Sequence, residues 1–170
     1  MGVEIERKFL VDAAKLPEPE ASFDVEQAYL DHDKIKARVR ITGERAFLTL
    51  KAVGNGLTRA EFEYLIPVAD ARELLRSFAP VGRIEKTRRH YRYGGRLWEV
   101  DVFGGANAGL VMAEVELASE DEPFDTPPWV KCEVSGDPRY FNAHLARHPY
   151  PEWKDDAPGT EEGRDTGSGR

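Results

Sequence analysis

Nine short runs in which apolar and charged residues alternate dominate this 170-residue chain, and no long helical pattern separates them. Successive side chains of a strand point to opposite faces, so each run is typical of a strand with one apolar and one ionic face. The runs cover residues 3–11, 26–31, 36–42, 46–53, 58–66, 82–93, 97–103, 110–118 and 130–135. The segments Gly54-Asn55-Gly56 and Gly94-Gly95 indicate hairpin turns between neighbouring runs. The pattern predicts an antiparallel meander rather than a parallel sheet with crossover helices.

Two segments favour helices instead. Residues 70–78 and 138–147 contain apolar positions at helical spacing, and each segment is followed by a proline that would end a helix. The end of the chain consists mainly of Asp, Glu, Gly, Thr and Ser, a composition that does not support a packed core. We therefore expect a single domain over residues 1–153 and a disordered acidic tail over residues 154–170.

Composition argues against several classes of protein. The formal net charge of -7 disfavours a general nucleic-acid binder, because phosphate contacts need a basic surface. Cys132 is the only cysteine, so no intrachain disulfide can form and a reducing compartment is expected. No apolar run approaches the roughly 20 residues of a membrane span, and the charged N-terminus lacks the apolar segment of a secretory signal. We expect a cytoplasmic protein without a nucleic-acid partner or a membrane association.

The ionic faces carry like-charged neighbours two residues apart on one strand. The pairs are Arg38 with Arg40, Lys86 with Arg88, Glu4 with Glu6, and Glu114 with Glu116. A solvated sheet face is the commonest cause of alternation, but such faces usually mix Thr, Ser and Gln with both charges. Like charges this close weaken a sheet unless an opposite charge lies between them. The pairs therefore favour a bound ligand over plain solvent exposure.

The two kinds of pair favour different ligands. Clustered arginine and lysine favour an oxyanion, and the arginine fork matches phosphate oxygens. Clustered carboxylates favour a hard cation such as Mg²⁺ or Mn²⁺. A metal-bound polyphosphate satisfies both, provided that the sheet curves or closes so that its ionic faces turn inward. The apolar faces would then point outward, where helices and loops must cover them.

The segment Glu4-Ile5-Glu6-Arg7-Lys8 resembles the ExExK signature of the CYTH, or triphosphate tunnel metalloenzyme, superfamily. The resemblance continues in order through Arg38-Val39-Arg40, Thr49-Leu50-Lys51, Arg59-Ala60-Glu61-Phe62-Glu63, Glu85-Lys86-Thr87-Arg88, Glu99-Val100-Asp101 and Glu114-Val115-Glu116. It covers nearly the whole chain apart from the tail. It implies a mainly β (α+β) fold, an eight-stranded antiparallel closed β-barrel around a charged tunnel, with a few covering helices.

The resemblance also implies roles for individual residues. It implies catalytic roles for Glu6, Lys86 and Glu116. It implies that the triphosphate is bound by Lys8, Arg38, Arg40, Lys51, Arg59, Lys86 and Arg88. It implies that Mg²⁺ or Mn²⁺ is held by Glu4, Glu6, Glu61, Glu63, Asp101, Glu114 and Glu116. At the helix that packs across one tunnel end, Phe141 stands where some relatives carry a basic residue, so the chain departs from the family pattern there.

Members of the family differ in what is attached to the triphosphate. The short chain and its EIERKFLV start most resemble the compact bacterial tripolyphosphatase-like members. The resemblance implies metal-dependent hydrolysis of inorganic tripolyphosphate to pyrophosphate and phosphate, with a small-molecule triphosphate as the partner of a monomer or homodimer. Thiamine triphosphatase, class IV adenylyl cyclase and a non-catalytic polyphosphate- or nucleotide-binding module stay open as alternatives. His144 and His148 have a spacing that can bind zinc, but packing is the favoured interpretation because no third ligand is nearby.

Overall fold

The computed structural model describes residues 5–30, 35–52, 61–77, 82–119 and 121–156. The strands are β1 (Ile5–Val11), β2 (Ala21–Tyr29), β3 (Ile35–Thr42), β4 (Arg45–Ala52), β5 (Glu61–Ile66), β6 (Arg83–Tyr93), β7 (Arg96–Phe103), β8 (Val111–Leu117) and β9 (Val130–Glu133). The helices are α1 (Val68–Ser77) and α2 (Asn142–Leu145). Within these ranges, no helix has the length and apolar character that crossing a bilayer requires.

The nine strands form one antiparallel sheet in the order β5-β4-β3-β2-β6-β7-β8-β1-β9. Two meanders, β2–β5 and β6–β8, are joined by pairing of β2 with β6, and β1 returns to pair with β8. At the β6–β7 hairpin, Gly94 and Gly95 have φ values of 58° and 75°, a region that favours glycine. The antiparallel meander is confirmed, whereas the turn predicted at 54–56 lies outside the described residues.

Closure into an eight-stranded barrel is not confirmed. Among the described residues, β5 and β9 are the edge strands and no pairing joins the two ends of the sheet. The physical reason lies at β1, whose second edge is occupied by β9 through the pairs Phe9–Glu133 and Val11–Val130. That edge would have to accept β5 if β1 to β8 alone formed a closed ring.

The apolar faces of the strands point away from the ionic faces and are covered from outside. On β7 and β8, Trp98, Val100 and Val115 are buried beneath Trp129 and Phe124, which belong to the segment between β8 and β9. The Trp98 and Trp129 rings meet edge-on with their centroids 5.4 Å apart. This packing lets the opposite face of the same strands carry charge.

Helix α1 covers the apolar face of the other half of the sheet. It buries Ala71 and Leu75, four residues apart on one helix face, against Val39 and Ile41 of β3. The helix begins two residues before the predicted segment 70–78 and ends one residue before it does. Its covering role agrees with the requirement that inward-turned charges leave outward apolar faces to be packed.

A third apolar cluster closes one end of the ionic face. Ile84, Phe103 and Met112 follow the same alternation as the charged residues but lie at the strand ends, where Tyr140 and Leu145 pack on them. The concave side of the sheet is therefore a cup with an apolar floor.

The segment of residues 138–147, which packs on this apolar floor, is less helical than the sequence predicted. Residues 138–147 form a 3-10 turn, Pro138–Tyr140, and the four-residue helix α2, because Phe141 between them is extended at φ -76° and ψ 137°. Gly82 approaches this segment so closely that a Cβ atom would lie 1.5 Å from the carbonyl oxygen of Ala146. Of the predicted tail, residues 154–156 form a further 3-10 turn, and the rest lies outside the described residues.

Candidate active site

Strands β1 to β8 line one cavity of about 850 Å³, and all of them except β2 contribute charged side chains to it. Each of these eight strands contributes at least one side chain, and α2 adds Asn142 at the floor end. Strand β9 contributes none among the described residues. Of the like-charged neighbours noted in the sequence, those that the structure describes all line this one cavity: Glu6, Arg38, Arg40, Lys86, Arg88, Glu114 and Glu116.

Most of the predicted site residues that the structure describes meet in this cavity. Its walls include Glu6, Lys8, Arg38, Arg40, Glu63, Lys86, Arg88, Glu114 and Glu116. Glu4 and Arg59 lie outside the described residues, as do the side chains of Lys51 and Glu61 on β4 and β5. Asp101 differs from the other predicted metal ligands, because it is completely buried and does not line the cavity.

Next to the apolar floor, a buried network joins opposite charges. Lys86 Nζ donates to Asp101 Oδ2 over 2.5 Å, and Arg88 donates from Nε and Nη2 to both oxygens of Asp101 over 2.7 Å. Arg88 Nη2 also donates to Glu114 Oε2 over 2.8 Å, and its Nη1 donates to Glu99. Charge-assisted bonds of this kind fix direction as well as adding energy. The ammonium group of Lys86 and the guanidinium group of Arg88 are therefore held in fixed orientations at the cavity wall.

The pKa values in this network follow from burial and pairing. Burial opposes ionisation of Asp101, but Lys86 and Arg88 hold its pKa below the usual value. Burial likewise opposes ionisation of Glu114, whose pKa is lowered chiefly by Lys8. Arg88 is desolvated too, but its bonds to Asp101 raise its pKa. For Lys86, desolvation by burial lowers the pKa despite the attraction of Asp101.

Two carboxylates lie opposite each other above this network. Glu6 of β1 and Glu116 of β8 are direct cross-strand partners, as are Lys8 and Glu114 one step nearer the floor. Lys8 Nζ donates to Glu6 over 2.6 Å and to Glu114 over 2.5 Å. Glu116 has no ion-pair partner among the described residues. The described residues therefore do not fully compensate this like-charged pair.

Two arginines on β3 also lack a full set of acceptors. Arg38 and Arg40 share one carboxylate, Glu63 of β5, over 3.5 and 3.3 Å. The Nε atoms of both arginines are buried without a hydrogen-bond acceptor in the described part of the chain. Burial and the nearby Arg38 charge lower the pKa of Arg40. An oxyanion in the cavity would provide the acceptors that these guanidinium groups lack.

Several cavity residues were not among the predicted site residues. Two of them are Arg45 and Phe47. The guanidinium group of Arg45 lies 5.1 Å from the centre of the Phe47 ring, and that of the predicted residue Arg40 lies 5.4 Å from it. Two more are His90 and Glu99, whose Nε2 and Oε1 atoms are 3.3 Å apart. The alternation that selected Lys86 and Asp101 also turns His90 and Glu99 inward, so this signal could have identified them. Asn142 also lines the cavity, and its position on the short helix α2 gave no comparable signal.

The donor set fits a hard divalent cation that shares its coordination with a substrate. In the described ranges, no three acidic, histidine or cysteine side chains are grouped closely enough to hold a metal ion by themselves. Mg²⁺ is commonly bound through one or two carboxylates together with waters and phosphate oxygens. The cavity carboxylates Glu6 and Glu116 meet that requirement.

Comparisons with known proteins extend over almost the entire described fold. A family model described as the CYTH domain matches residues 2–150. The chain is 42% identical over 156 residues to an inorganic triphosphatase of Acetivibrio thermocellus, a match that covers 91% of this chain and 100% of that protein. It is 43% identical over 149 residues to an inorganic triphosphatase of Nitrosomonas europaea, covering 84% of this chain and 96% of that protein. A crystal structure of an inorganic triphosphatase matches with a TM-score of 0.69 and 40% identity, covering 86% of this chain and 96% of the other.

Proposed function

The chain belongs to the CYTH domain family, and on this premise we propose that it hydrolyses inorganic triphosphate to pyrophosphate and phosphate with the help of a divalent metal ion. The observation that carries the proposal is the shared cavity, where the Nε atoms of Arg38 and Arg40 have no acceptor among the described residues and the carboxylates Glu6 and Glu116 oppose each other. A metal-bound polyanion satisfies both groups at once. The two curated relatives, which are named inorganic triphosphatases, support the choice of substrate.

The cations of the cavity hold the substrate in this proposal. Phosphoryl transfer depends mainly on positioning and on neutralising charge, so preoriented cations are the principal requirement. Buried carboxylates fix the directions of Lys86 and Arg88, which supports their role against the departing pyrophosphate. The complete proposed binding set is Lys8, Arg38, Arg40, Lys51, Arg59, Lys86 and Arg88.

The carboxylates of the cavity would hold Mg²⁺ or Mn²⁺ in this proposal. Glu6 and Glu116 would hold the ion together with phosphate oxygens, and Glu4, Glu61, Glu63 and Glu114 would complete the set. When bound, the ion neutralises phosphate oxygens and lowers the pKa of coordinated water. Glu6 and Glu116 orient the attacking water towards the terminal phosphorus. The new bond joins the water oxygen to that phosphorus while a proton of this water passes to one of these two carboxylates. The bridging P–O bond breaks, and pyrophosphate leaves with its electron pair beside Lys86.

We also propose that β1 to β8 close into the tunnel barrel typical of the family. All eight strands line the cavity whereas β9 does not, which supports an eight-stranded ring around the substrate. Closure would involve the part of β1 nearest Ile5, because β9 pairs with the opposite end of that strand. A cytoplasmic location is part of the proposal and is supported by the single cysteine, Cys132.

The decisive experiment measures product release by the purified full chain from tripolyphosphate, thiamine triphosphate and ATP. Each substrate is tested with Mg²⁺, with Mn²⁺ and with EDTA. We expect tripolyphosphate to give the highest kcat/KM, equimolar phosphate and pyrophosphate, and no turnover in EDTA. Lys86→Met should lower kcat/KM by about tenfold or more. Tight binding of tripolyphosphate without product release would instead identify a binding module, and cyclic AMP formation from ATP would identify a cyclase.

A further inference from the structure

We propose that Asp101 is a positioning residue that fixes Lys86 and Arg88 and does not bind the metal ion. The inference deepens the proposed function and rests on it, because it assigns this residue a task within triphosphate hydrolysis. It also revises the role that the family resemblance implied for Asp101. The geometry of the buried network carries it.

Both oxygens of Asp101 are already engaged. Oδ1 accepts from Arg88 Nε, and Oδ2 accepts from Arg88 Nη2 and from Lys86 Nζ, over 2.5 to 2.7 Å. The residue is 0% exposed and contributes nothing to the cavity wall. A divalent ion at Asp101 would have to displace these donors and remain beside their positive charges in a buried space.

The ammonium group of Lys86 is held between Asp101 and the ring of Phe103. Its Nζ atom bonds Asp101 and lies 5.4 Å from the centre of the Phe103 ring in the apolar floor. Its side chain is only 3% exposed, although the residue reaches the cavity wall. Asp101 thus sets how far the ammonium group projects towards a bound phosphate. The two-point bond to Arg88 sets the plane of that guanidinium group in the same way.

Glu116 provides the contrasting case on the neighbouring strand β8. It faces the cavity, is exposed, and has no ion-pair partner among the described residues. Its oxygens can therefore meet an incoming cation, whereas those of Asp101 cannot. The two acids form a matched pair for an experiment, because each can be replaced by its uncharged amide.

The test compares Asp101→Asn with Glu116→Gln in the full chain. Mn²⁺ binding is measured by electron paramagnetic resonance without substrate, tripolyphosphate binding by calorimetry in EDTA, and kinetics with Mg²⁺. We expect Asp101→Asn to leave the Kd for Mn²⁺ within about twofold of wild type while weakening tripolyphosphate binding and lowering kcat/KM about tenfold. Glu116→Gln should raise the Kd for Mn²⁺ about tenfold. An equal loss of Mn²⁺ affinity in both variants would overturn the proposal.

A second comparison keeps the test independent of folding. If Asp101→Asn does not fold, Arg88→Gln is compared with Arg88→Gln/Asp101→Asn, in which one charge of each sign is removed. The two should have the same Kd for Mn²⁺, and the double variant should lose less than about tenfold further in kcat/KM, because only one of the two cations that Asp101 positions, Lys86, is still present. A weaker Mn²⁺ affinity in the double variant would show that Asp101 is a ligand. Failure of wild type to release phosphate would refute the proposed hydrolysis, whereas the two binding measurements would still decide the role of Asp101.

Discussion

Glu6 and Glu116 are cross-strand partners on β1 and β8, and both face the cavity. Carboxylates in this register repel each other and weaken strand pairing. Lys8 offsets part of the repulsion through its bond to Glu6, but no described cation pairs with Glu116. The pair therefore lowers the stability of the metal-free protein while providing oxygen ligands for a cation. Removing one of these two charges should therefore lower the hydrolytic activity while leaving unchanged or raising the stability of the metal-free protein.

Glu116→Gln tests this opposition. We expect kcat/KM for tripolyphosphate to fall about tenfold or more, because a metal ligand is lost. We expect the midpoint of thermal unfolding in EDTA to stay equal or to rise, since like-charged partners cost up to about 1 kcal/mol. The exposed Glu18→Gln is the matched control and should change neither quantity. A clear loss of stability in EDTA would show that Glu116 makes stabilising contacts in the metal-free protein and would contradict the predicted repulsion.

Arg40 gives rise to a different prediction, because it is a partly buried cation whose Nε has no acceptor among the described residues. Desolvation and the neighbouring Arg38 charge also lower its pKa. Arg40→Gln should raise KM for tripolyphosphate about fivefold or more, with a smaller change in kcat, and should not lower thermal stability.

The matched control for Arg40 is Arg72→Gln on the exposed side of α1. Kinetics over a range of salt concentrations provide a second measurement. KM of wild type and of Arg72→Gln should rise with ionic strength more steeply than KM of Arg40→Gln, because one phosphate-binding charge has been removed. Equal salt dependence in all three proteins would contradict a phosphate contact by Arg40.

Alternation predicted most of the sheet because its cause is local. On β3 and β8 most apolar residues pack outward while the ionic residues line the cavity, so the two-residue period appears directly in the sequence. Strand β2 was predicted only from residue 26, although it begins at Ala21. Ser22 and Asp24 have weak strand propensity, and pairing with Arg89 and Thr87 of β6 holds this part extended.

The alternating pattern does not predict how close to the apolar floor a residue on the cavity face of a strand lies. Asp101 and Glu99 share one face of β7, but Asp101 is the cross-strand partner of Met112 in the apolar floor, and Glu99 is the partner of Glu114 in the cavity. The period of two places both acids on the same side and does not distinguish a buried carboxylate from a cavity carboxylate. The position of the floor depends on Tyr140, which is distant in sequence and packs there only through the tertiary fold.

Lys8 couples the anion site to the metal site. Its ammonium group bonds Glu6 and Glu114, so it competes with a metal ion for their oxygens. Lys8→Gln should bind Mn²⁺ about threefold more tightly than wild type in the absence of substrate, because two carboxylates lose their buried cation. The same variant should bind tripolyphosphate more weakly, since a phosphate-binding charge is removed.

Electron paramagnetic resonance with Mn²⁺ and calorimetry with tripolyphosphate measure the two effects of Lys8→Gln separately. The exposed Lys131→Gln on β9 is the matched control and should alter neither affinity. A decrease in Mn²⁺ affinity on removal of Lys8 would mean that the lysine organises the carboxylates for the metal instead of competing with it. Unchanged tripolyphosphate binding would remove Lys8 from the proposed anion site.

The ionisation of Glu114 predicts how the stability of the protein depends on pH. Its pKa is lowered in the folded protein, chiefly by Lys8 and then by Lys86, although burial and Asp101 oppose its ionisation. A depressed carboxyl pKa contributes stability above the pKa of the unfolded chain and loses it as pH falls through the folded value. The unfolded value for glutamate is about 4.3. Wild type should therefore exceed Glu114→Gln in free energy of unfolding by a constant amount at neutral pH, and the gap should shrink below about pH 4.

Urea denaturation at a series of pH values measures this gap for Glu114. Glu18→Gln again serves as the control, and its stability relative to wild type should not change with pH. The sign is fixed by the direction of the shift, because the unfolded chain takes up the proton at a higher pH than the folded one does. A gap that widens on acidification would require a folded-state pKa for Glu114 above that of the unfolded chain, and the ion network would then stabilise the protonated acid instead of the carboxylate.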